Sequence, residues 1–308
     1  MTRLTHRART VACVAALAAT SLALAACGSD DAPEAPAELS GIFADAPVAD
    51  DSLIADGSTM AEIREAGTLT VAAALDAPLL SQQNPTDPDE VEGFDITLAK
   101  LLATYILGEP TVEIVPPASE TREALLQNGT VDVVFNTYTI TEERAEQVSF
   151  AGPYFMSGLA VAVAADNEDI AGIEDLGGKT VIVGANTPAV EAVPEHQPTA
   201  EIVTFGTDPQ AVQALGQGRG DAYVQDYILL ATNAAANPDL KVVGQPFTEE
   251  PYGIGLPPED QEFKDFVNDW LRAIQEGGQW EQAWADSIGT AVDSAAPTPP
   301  EIGSVPGS

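Results

Sequence analysis

Two arginines stand where a helix start disfavours them. The run Asn136-Thr137-Tyr138-Thr139-Ile140-Thr141-Glu142-Glu143-Arg144 predicts a strand end, a polar turn and a helix start. Thr141 suits the N-cap, where its hydroxyl can accept from a first-turn amide. Glu142 and Glu143 suit the positive end of the helix dipole, and Arg144 does not. An anion beside Arg144 would account for it, because free amides, hydroxyls and a guanidinium then converge on one carboxylate or phosphate. Arg122 repeats the pattern three residues after Ser119, where a capping box would place Glu or Gln. Against this stands the plainer reading of each arginine as a solvated surface cation.

Asp226 follows Ala222-Tyr223-Val224-Gln225 and precedes an apolar helix. Aspartate is a favoured N-cap, and it is equally a counter-charge for an ammonium. Asn186-Thr187-Pro188, after Val181–Gly184, is a further strand-to-helix corner, with Pro188 suited to the first helical position and Thr187 to its cap. A carboxylate beside an arginine and an ammonium beside an aspartate are together what an α-amino acid requires.

The elements that must hold these residues alternate along the chain. Thr68–Leu75 reads as an apolar strand, Phe94–Leu107 as a helix with Asp95 as its cap, Thr111–Val115 as a strand, Glu120–Gln127 as a helix and Val131–Phe135 as a strand. The rhythm returns at Thr180–Val183, Pro188–Val193, Glu201–Phe205, Pro209–Gly216, Asp221–Val224 and Tyr227–Ala234. This is α/β punctuation with mostly parallel strands. Leu126, Gly129 and Asp132 recur at the same spacing as Leu215, Gly218 and Asp221, which predicts two blocks of similar build. Ligands of open α/β sheets bind beyond the carboxyl ends of strands. Here those ends are Asn136-Thr137 and Gln225-Asp226.

The chain has 308 residues and a formal net charge of -36, a surface that excludes nucleic acid and anionic lipid headgroups as partners. Arg3, Arg7 and Arg9 precede an apolar run from Val11 to Ala26, short for a membrane span and suited to a signal peptide over residues 1–26. Leu24-Ala25-Ala26-Cys27-Gly28-Ser29 resembles a bacterial lipobox, so Cys27 is expected to carry lipid and to be the chain's only attachment to the membrane. Cys13 leaves with the signal, so no disulfide is available to the fold. Residues 27–58, rich in Ala, Pro, Asp and Ser, read as the lipidated cysteine and a flexible tether. Residues 291–308 read as a disordered tail. With His196 alone after the signal, and no second His or free Cys, no transition-metal site is expected. No Walker or dinucleotide glycine loop occurs, so no cofactor is expected.

Several motifs resemble one family. Gly93-Phe94-Asp95-Ile96 with Leu98-Ala99, Gln127-Asn128-Gly129-Thr130-Val131-Asp132, Thr137 to Arg144, Phe150-Ala151-Gly152-Pro153-Tyr154, and Phe247 to Leu256 are similar to the family 3 extracytoplasmic solute-binding proteins. These are the polar amino-acid receptors of ABC importers, and the likeness spans roughly residues 66 to 287. It implies a two-lobed, type II periplasmic-binding-protein fold with two crossover hinge strands, near Val161–Ala165 and Gly244–Tyr252. Lobe 1 would comprise 59–160 and 252–290, and lobe 2 would comprise 161–251. By the same resemblance Arg144 would hold the ligand α-carboxylate with Thr139 and Thr187. Asp226 would take the α-ammonium beside Asn136 and Thr137, Arg122 would meet a side-chain carboxylate, and Asp76 would border the ligand after the first strand. The implied partner is an ABC importer permease. The protein would act as a monomer and not as an enzyme, at the outer face of the cell membrane.

The family pattern is not complete. An aromatic residue expected after the first strand is replaced in Leu75-Asp76-Ala77-Pro78-Leu79-Leu80, and an expected cation in Gln82-Gln83-Asn84. Glutamate is the first expectation for the ligand, with glutamine, asparagine and aspartate open. A sensory lipoprotein without transport, or a cyclohexadienyl dehydratase-like enzyme on the same scaffold, are the readings of another class.

Overall fold

A computed structural model describes residues 39–292 and 295–308. The expected signal peptide, Cys27 and the first part of the expected tether lie outside the described residues. The chain builds two sheets. The first lobe begins with α1 (Thr59–Ala66), β1 (Leu69–Ala72) and a small three-stranded sheet of β2 (Asp76–Ala77), β3 (Ser81–Gln83) and β4 (Val91–Glu92). It continues through α2 (Phe94–Leu107), β5 (Val112–Val115), α3 (Arg122–Gln127), β6 (Val133–Val134), α4 (Glu142–Ala145) and β7 (Ser149–Ser157). The second lobe runs β8 (Leu159–Ala164), β9 (Thr180–Gly184), α5 (Ala189–His196), β10 (Glu201–Phe205), α6 (Asp208–Gly216), β11 (Ala222–Asp226), α7 (Tyr227–Ala236) and β12 (Leu240–Val243). The chain then returns with β13 (Glu250–Leu256), α8 (Gln261–Glu276) and α9 (Gln279–Ala285).

The first sheet has the order β5-β1-β6-β13-β7 and the second β10-β9-β11-β8-β12. In each, the βαβ strands run parallel and the strands nearest the crossings run antiparallel. Alternation along β8 shows how sequence sets the faces. Leu159, Val161 and Val163 enter one core cluster, and Ala160 and Ala162 enter the cluster on the other face. The repeated Leu–Gly–Asp trio holds equivalent places. Gly129 and Gly218 turn the chain at φ 69° and 68°, a conformation open to glycine at low cost. Asp132 and Asp221 then each accept from an amide at the start of the neighbouring strand, Thr70 N in β1 at 2.7 Å and Thr180 N in β9 at 2.8 Å.

The first crossing falls at Gly158, earlier than the expected Val161–Ala165, because β8 already pairs with β11 from Leu159 onward. The two crossings are joined. Leu159 N donates to Thr248 Oγ1 at 2.8 Å, and Phe247 N donates to Leu159 O at 2.9 Å. A side chain at Gly158 would collide with the Thr248 carbonyl and approach Pro246 Cβ.

Asp95 does not cap α2. It lies inside the helix, and its carboxylate accepts instead from Thr137 N and the Tyr154 hydroxyl, both at 2.9 Å. The two expected disordered segments are also corrected where they are described. Residues 39–58 are packed: Ile42, Phe43, Ala46 and Ile54 lie against the lobe 1 core, and Ala49 N donates to Tyr105 O at 2.8 Å. The tail packs too. Val292, Ala296 and Ile302 cover that core, Val305 meets the cluster on the opposite sheet face, and Gly303 N donates to Gly152 O at 2.8 Å. Such extended segments bury single apolar residues without a helix or strand period, so a periodicity test passes over them. Deleting residues 291–308 is expected to cost about 2 kcal/mol of apolar burial. That lowers the melting temperature by roughly 4–8 °C in calorimetry.

Candidate functional site

A cavity of about 260 Å³ opens between the lobes at the carboxyl ends of the parallel strands. The segments after β1, β5 and β6 line it from lobe 1, and those after β9, β10 and β11 from lobe 2. Arg144, Thr139, Asp226, Thr187, Arg122, Thr137, Asn136 and Asp76 all reach this one cavity.

Tyr138 and Thr139 are fixed by β13: Gly253 N donates to Tyr138 O at 2.9 Å, Ile140 N to Pro251 O at 2.8 Å, and Thr139 bridges to Tyr252. Thr141 is the cap that the sequence implies, its hydroxyl accepting from Arg144 N at 3.2 Å. Arg144 is buried rather than solvated. Its Nη1 donates to Thr139 O and its Nη2 to Asn186 O on the opposite lobe, each at 2.7 Å, and its Nε lies 3.6 Å from Glu123 Oε1. The ring of Tyr138 lies beneath both arginines, 4.4 Å from the Arg122 guanidinium and 5.0 Å from that of Arg144. The Tyr138 hydroxyl donates to Glu123 Oε1 at 2.7 Å, so Glu123 holds the arginine and the ring together.

Arg122 is also buried, at the first position of α3. Its Nε donates to Ser119 O at 3.0 Å, Nη1 to Asn136 O at 3.3 Å and Nη2 to Asn186 O at 3.5 Å. Burial, and then the charge of Arg144, draw its pKa down to about 10, which leaves it a cation at neutral pH. Ser119 offers Arg122 its carbonyl and makes no side-chain cap. Thr187 is likewise not the cap of α5: its hydroxyl donates to Gly184 O at 2.8 Å. Asn186 adopts a left-handed φ of 53°, which places its carbonyl between the two arginines of lobe 1.

Asp226 is the N-cap of α7. Oδ1 accepts from Ile228 N at 2.9 Å and Leu229 N at 3.2 Å, as an N-cap does. Oδ2 is buried with no hydrogen-bond partner among the described residues. Burial raises the Asp226 pKa, against the pull of the Ser157 and Tyr252 hydroxyls and the two amides. The Ser157 and Tyr252 hydroxyls beside Oδ2 are likewise buried and unpartnered, so these three groups form a polar cluster whose hydrogen bonds are not closed in this arrangement.

Sequence reasoning passed over Glu123, Asp208 and Glu250, and named Asn186 only as part of a strand-to-helix corner. Asp208 lines the cavity at the start of α6, where the strand-end rule applied to β10 would have found it. Its Oδ1 accepts from the Tyr223 hydroxyl at 2.7 Å and its Oδ2 from Asn233 Nδ2 at 2.6 Å. Glu250 is buried and accepts from the Thr248 hydroxyl at 2.8 Å. Gln83, at the place of the expected loop cation, does not line the cavity and donates to Pro88 O within its own loop. Among the described residues, no cluster of His, Cys, Asp and Glu could hold a metal ion, and no helix is long and apolar enough to cross a membrane.

Comparison with known proteins gives concordant matches. The family described as bacterial extracellular solute-binding proteins, family 3, matches residues 69–288. A glutamine-binding protein of Geobacillus stearothermophilus is 36% identical over 208 residues, covering 67% of this chain and 79% of that protein. The glutamate-binding protein GluB of Corynebacterium glutamicum is 33% identical over 238 residues, covering 73% of this chain and 80% of that one. The structure is also similar to a solute receptor for L-cysteine of Neisseria gonorrhoeae, with a TM-score of 0.74 and 27% identity. That match covers 79% of this chain and 100% of the other.

Proposed function

This chain belongs to the bacterial extracellular solute-binding proteins of family 3, and on that premise we propose that it captures a polar α-amino acid between its lobes for an ABC importer. The observation that carries the reading is that one cavity is lined by the Arg144 guanidinium from lobe 1 and by the Asp226 carboxylate from lobe 2. Arg144 takes the α-carboxylate, helped by Thr139 and by Thr187 from the opposite lobe. Asp226 Oδ2 takes the α-ammonium beside Asn136 and Thr137. Ligand bound to both lobes favours the closed clamp by its differential affinity for that state. The protein works as a monomeric receptor, not an enzyme, held to the outer face of the membrane by lipid on Cys27.

Glutamate, the first expectation for the ligand, rests on Arg122. That guanidinium already donates to three backbone carbonyls, and a side-chain carboxylate would have to draw it from them. Glutamine asks for no such exchange. A thermal-shift screen of the twenty amino acids tests the reading. At a concentration about 100 times Kd, a true ligand adds about 2.7 kcal/mol of stability. That raises the melting temperature by roughly 5–10 °C. A screen in which no amino acid moves the transition would refute the receptor assignment.

A further inference from the structure

One stretch of the cavity wall is acidic from both lobes. Asp76 lines it from lobe 1 and Asp208 from lobe 2, near enough for their charges to repel. Each Asp208 oxygen accepts one hydrogen bond, from Tyr223 or from Asn233. An ionised carboxylate offers about four lone-pair sites, so about half of its accepting capacity is left. Among the described residues neither carboxylate has an ion-pair partner. Arg122 is engaged with the carbonyls of Ser119, Asn136 and Asn186.

The balance of charge in the cavity follows. With Arg144 set against the ligand α-carboxylate and Asp226 against its ammonium, the charged lining that remains is Arg122 against Asp76, Asp208 and Glu250. A ligand side chain ending in a carboxylate would add a like charge beside the half-buried Asp208 and the exposed Asp76. One ending in a guanidinium or ammonium would supply donors to open acceptors and lower the net charge.

We propose that Asp208, opposed by Asp76, selects amino acids whose side chain ends in a cation, a guanidinium or a primary ammonium, and rejects those ending in a carboxylate. The inference rests on the amino-acid-receptor reading and names its ligand class.

A pH dependence follows from the same groups. Burial is the main cause that raises the Asp208 pKa, to about 6; repulsion from Asp76 adds to it, and the Tyr223 hydroxyl and the Asn233 amide oppose it. Burial raises the Asp76 pKa as well. Below that pH the free protein holds Asp208 neutral, so a cation binds more weakly and displaces a proton as it binds.

The test is calorimetry on the intact mature chain with L-arginine, L-lysine, L-glutamine and L-glutamate, at about pH 7.5 and about pH 5.5. Arginine or lysine should bind at least about a hundredfold more tightly than glutamate, and more weakly at the lower pH. Asp208→Asn should narrow the cation-to-glutamate ratio by about tenfold or more and flatten the pH dependence, and Asp76→Asn should shift the ratio in the same direction. Glutamine or glutamate bound more tightly than both cations would overturn the proposal. So would an Asp208→Asn variant that weakens every ligand by one common factor, the mark of a purely structural role. Binding of no amino acid at all would refute the receptor reading instead.

Discussion

Arg144→Ala is expected to weaken amino-acid binding by at least about a hundredfold, the equivalent of roughly 3–5 kcal/mol for breaking one partner out of a buried ionic contact. The size follows from how many groups share this guanidinium. It is bonded to Thr139 O and Asn186 O and stands beside Glu123. Alanine would leave both carbonyls short of a donor and Glu123 short of its cation. It would also remove the contact across the cleft to Asn186, so closure weakens together with ligand contact. Arg144→Lys separates shape from charge: an ammonium retains the charge but cannot serve Thr139, Asn186 and a ligand carboxylate in one plane. Calorimetry should show most of the loss in the lysine variant too. A variant whose affinity stays within about tenfold of the parent chain would remove Arg144 from the site.

Asp226→Asn should lose about as much affinity while leaving the fold intact or firmer. Asparagine can still accept from Ile228 N and Leu229 N, so α7 retains its cap. What changes is the second atom, where an acceptor for the ligand ammonium becomes an amide donor. The stability prediction comes from the sign of the shift. The folded-state pKa of Asp226 is raised by burial. Its stabilising contribution is therefore complete only below the unfolded aspartate value and is lost as pH rises through the folded one. Above the folded value the ionised, buried carboxylate destabilises the ligand-free protein, and asparagine removes that cost. Differential scanning calorimetry without ligand should give an equal or higher melting temperature for the variant, alongside a fall in affinity of roughly a hundredfold or more. A clear drop in melting temperature with unchanged affinity would make Asp226 a structural cap only.

Much of this site was legible because misplaced charge is a strong signal. Arg122 and Arg144 each break a helix-start preference, and both turn out to be buried on the cavity. The repeated Leu–Gly–Asp trio located the facing strand ends for a similar reason, since a left-handed glycine and a strand-pinning aspartate leave a recognisable spacing. Capping residues were harder to read. Asp95, Ser119 and Thr187 are all good caps by type, yet none caps, because hydroxyls and carboxylates serve tertiary partners equally well. Asp208 was hidden by the same ambiguity in reverse, being an ordinary residue for a helix start. Glu123 carries no pattern at all, since its role depends on Tyr138 and Arg144 arriving from elsewhere in the chain.

The strand order of the two sheets also bears on how the chain acquires its shape. Every strand of the second sheet lies between Leu159 and Val243, so that lobe has all its parts once those residues have emerged. The first sheet does not: β13 sits between β6 and β7 and is supplied only by Glu250–Leu256. During N-terminus-first emergence from a ribosome or an export channel, the earlier-made lobe must therefore wait with an interior strand missing and β6 and β7 unpaired to one another. The later-made lobe can finish first. An exposed gap of that kind is where a holding chaperone would act, and substitutions that weaken β13 should impair yield more than they impair the stability of protein already folded.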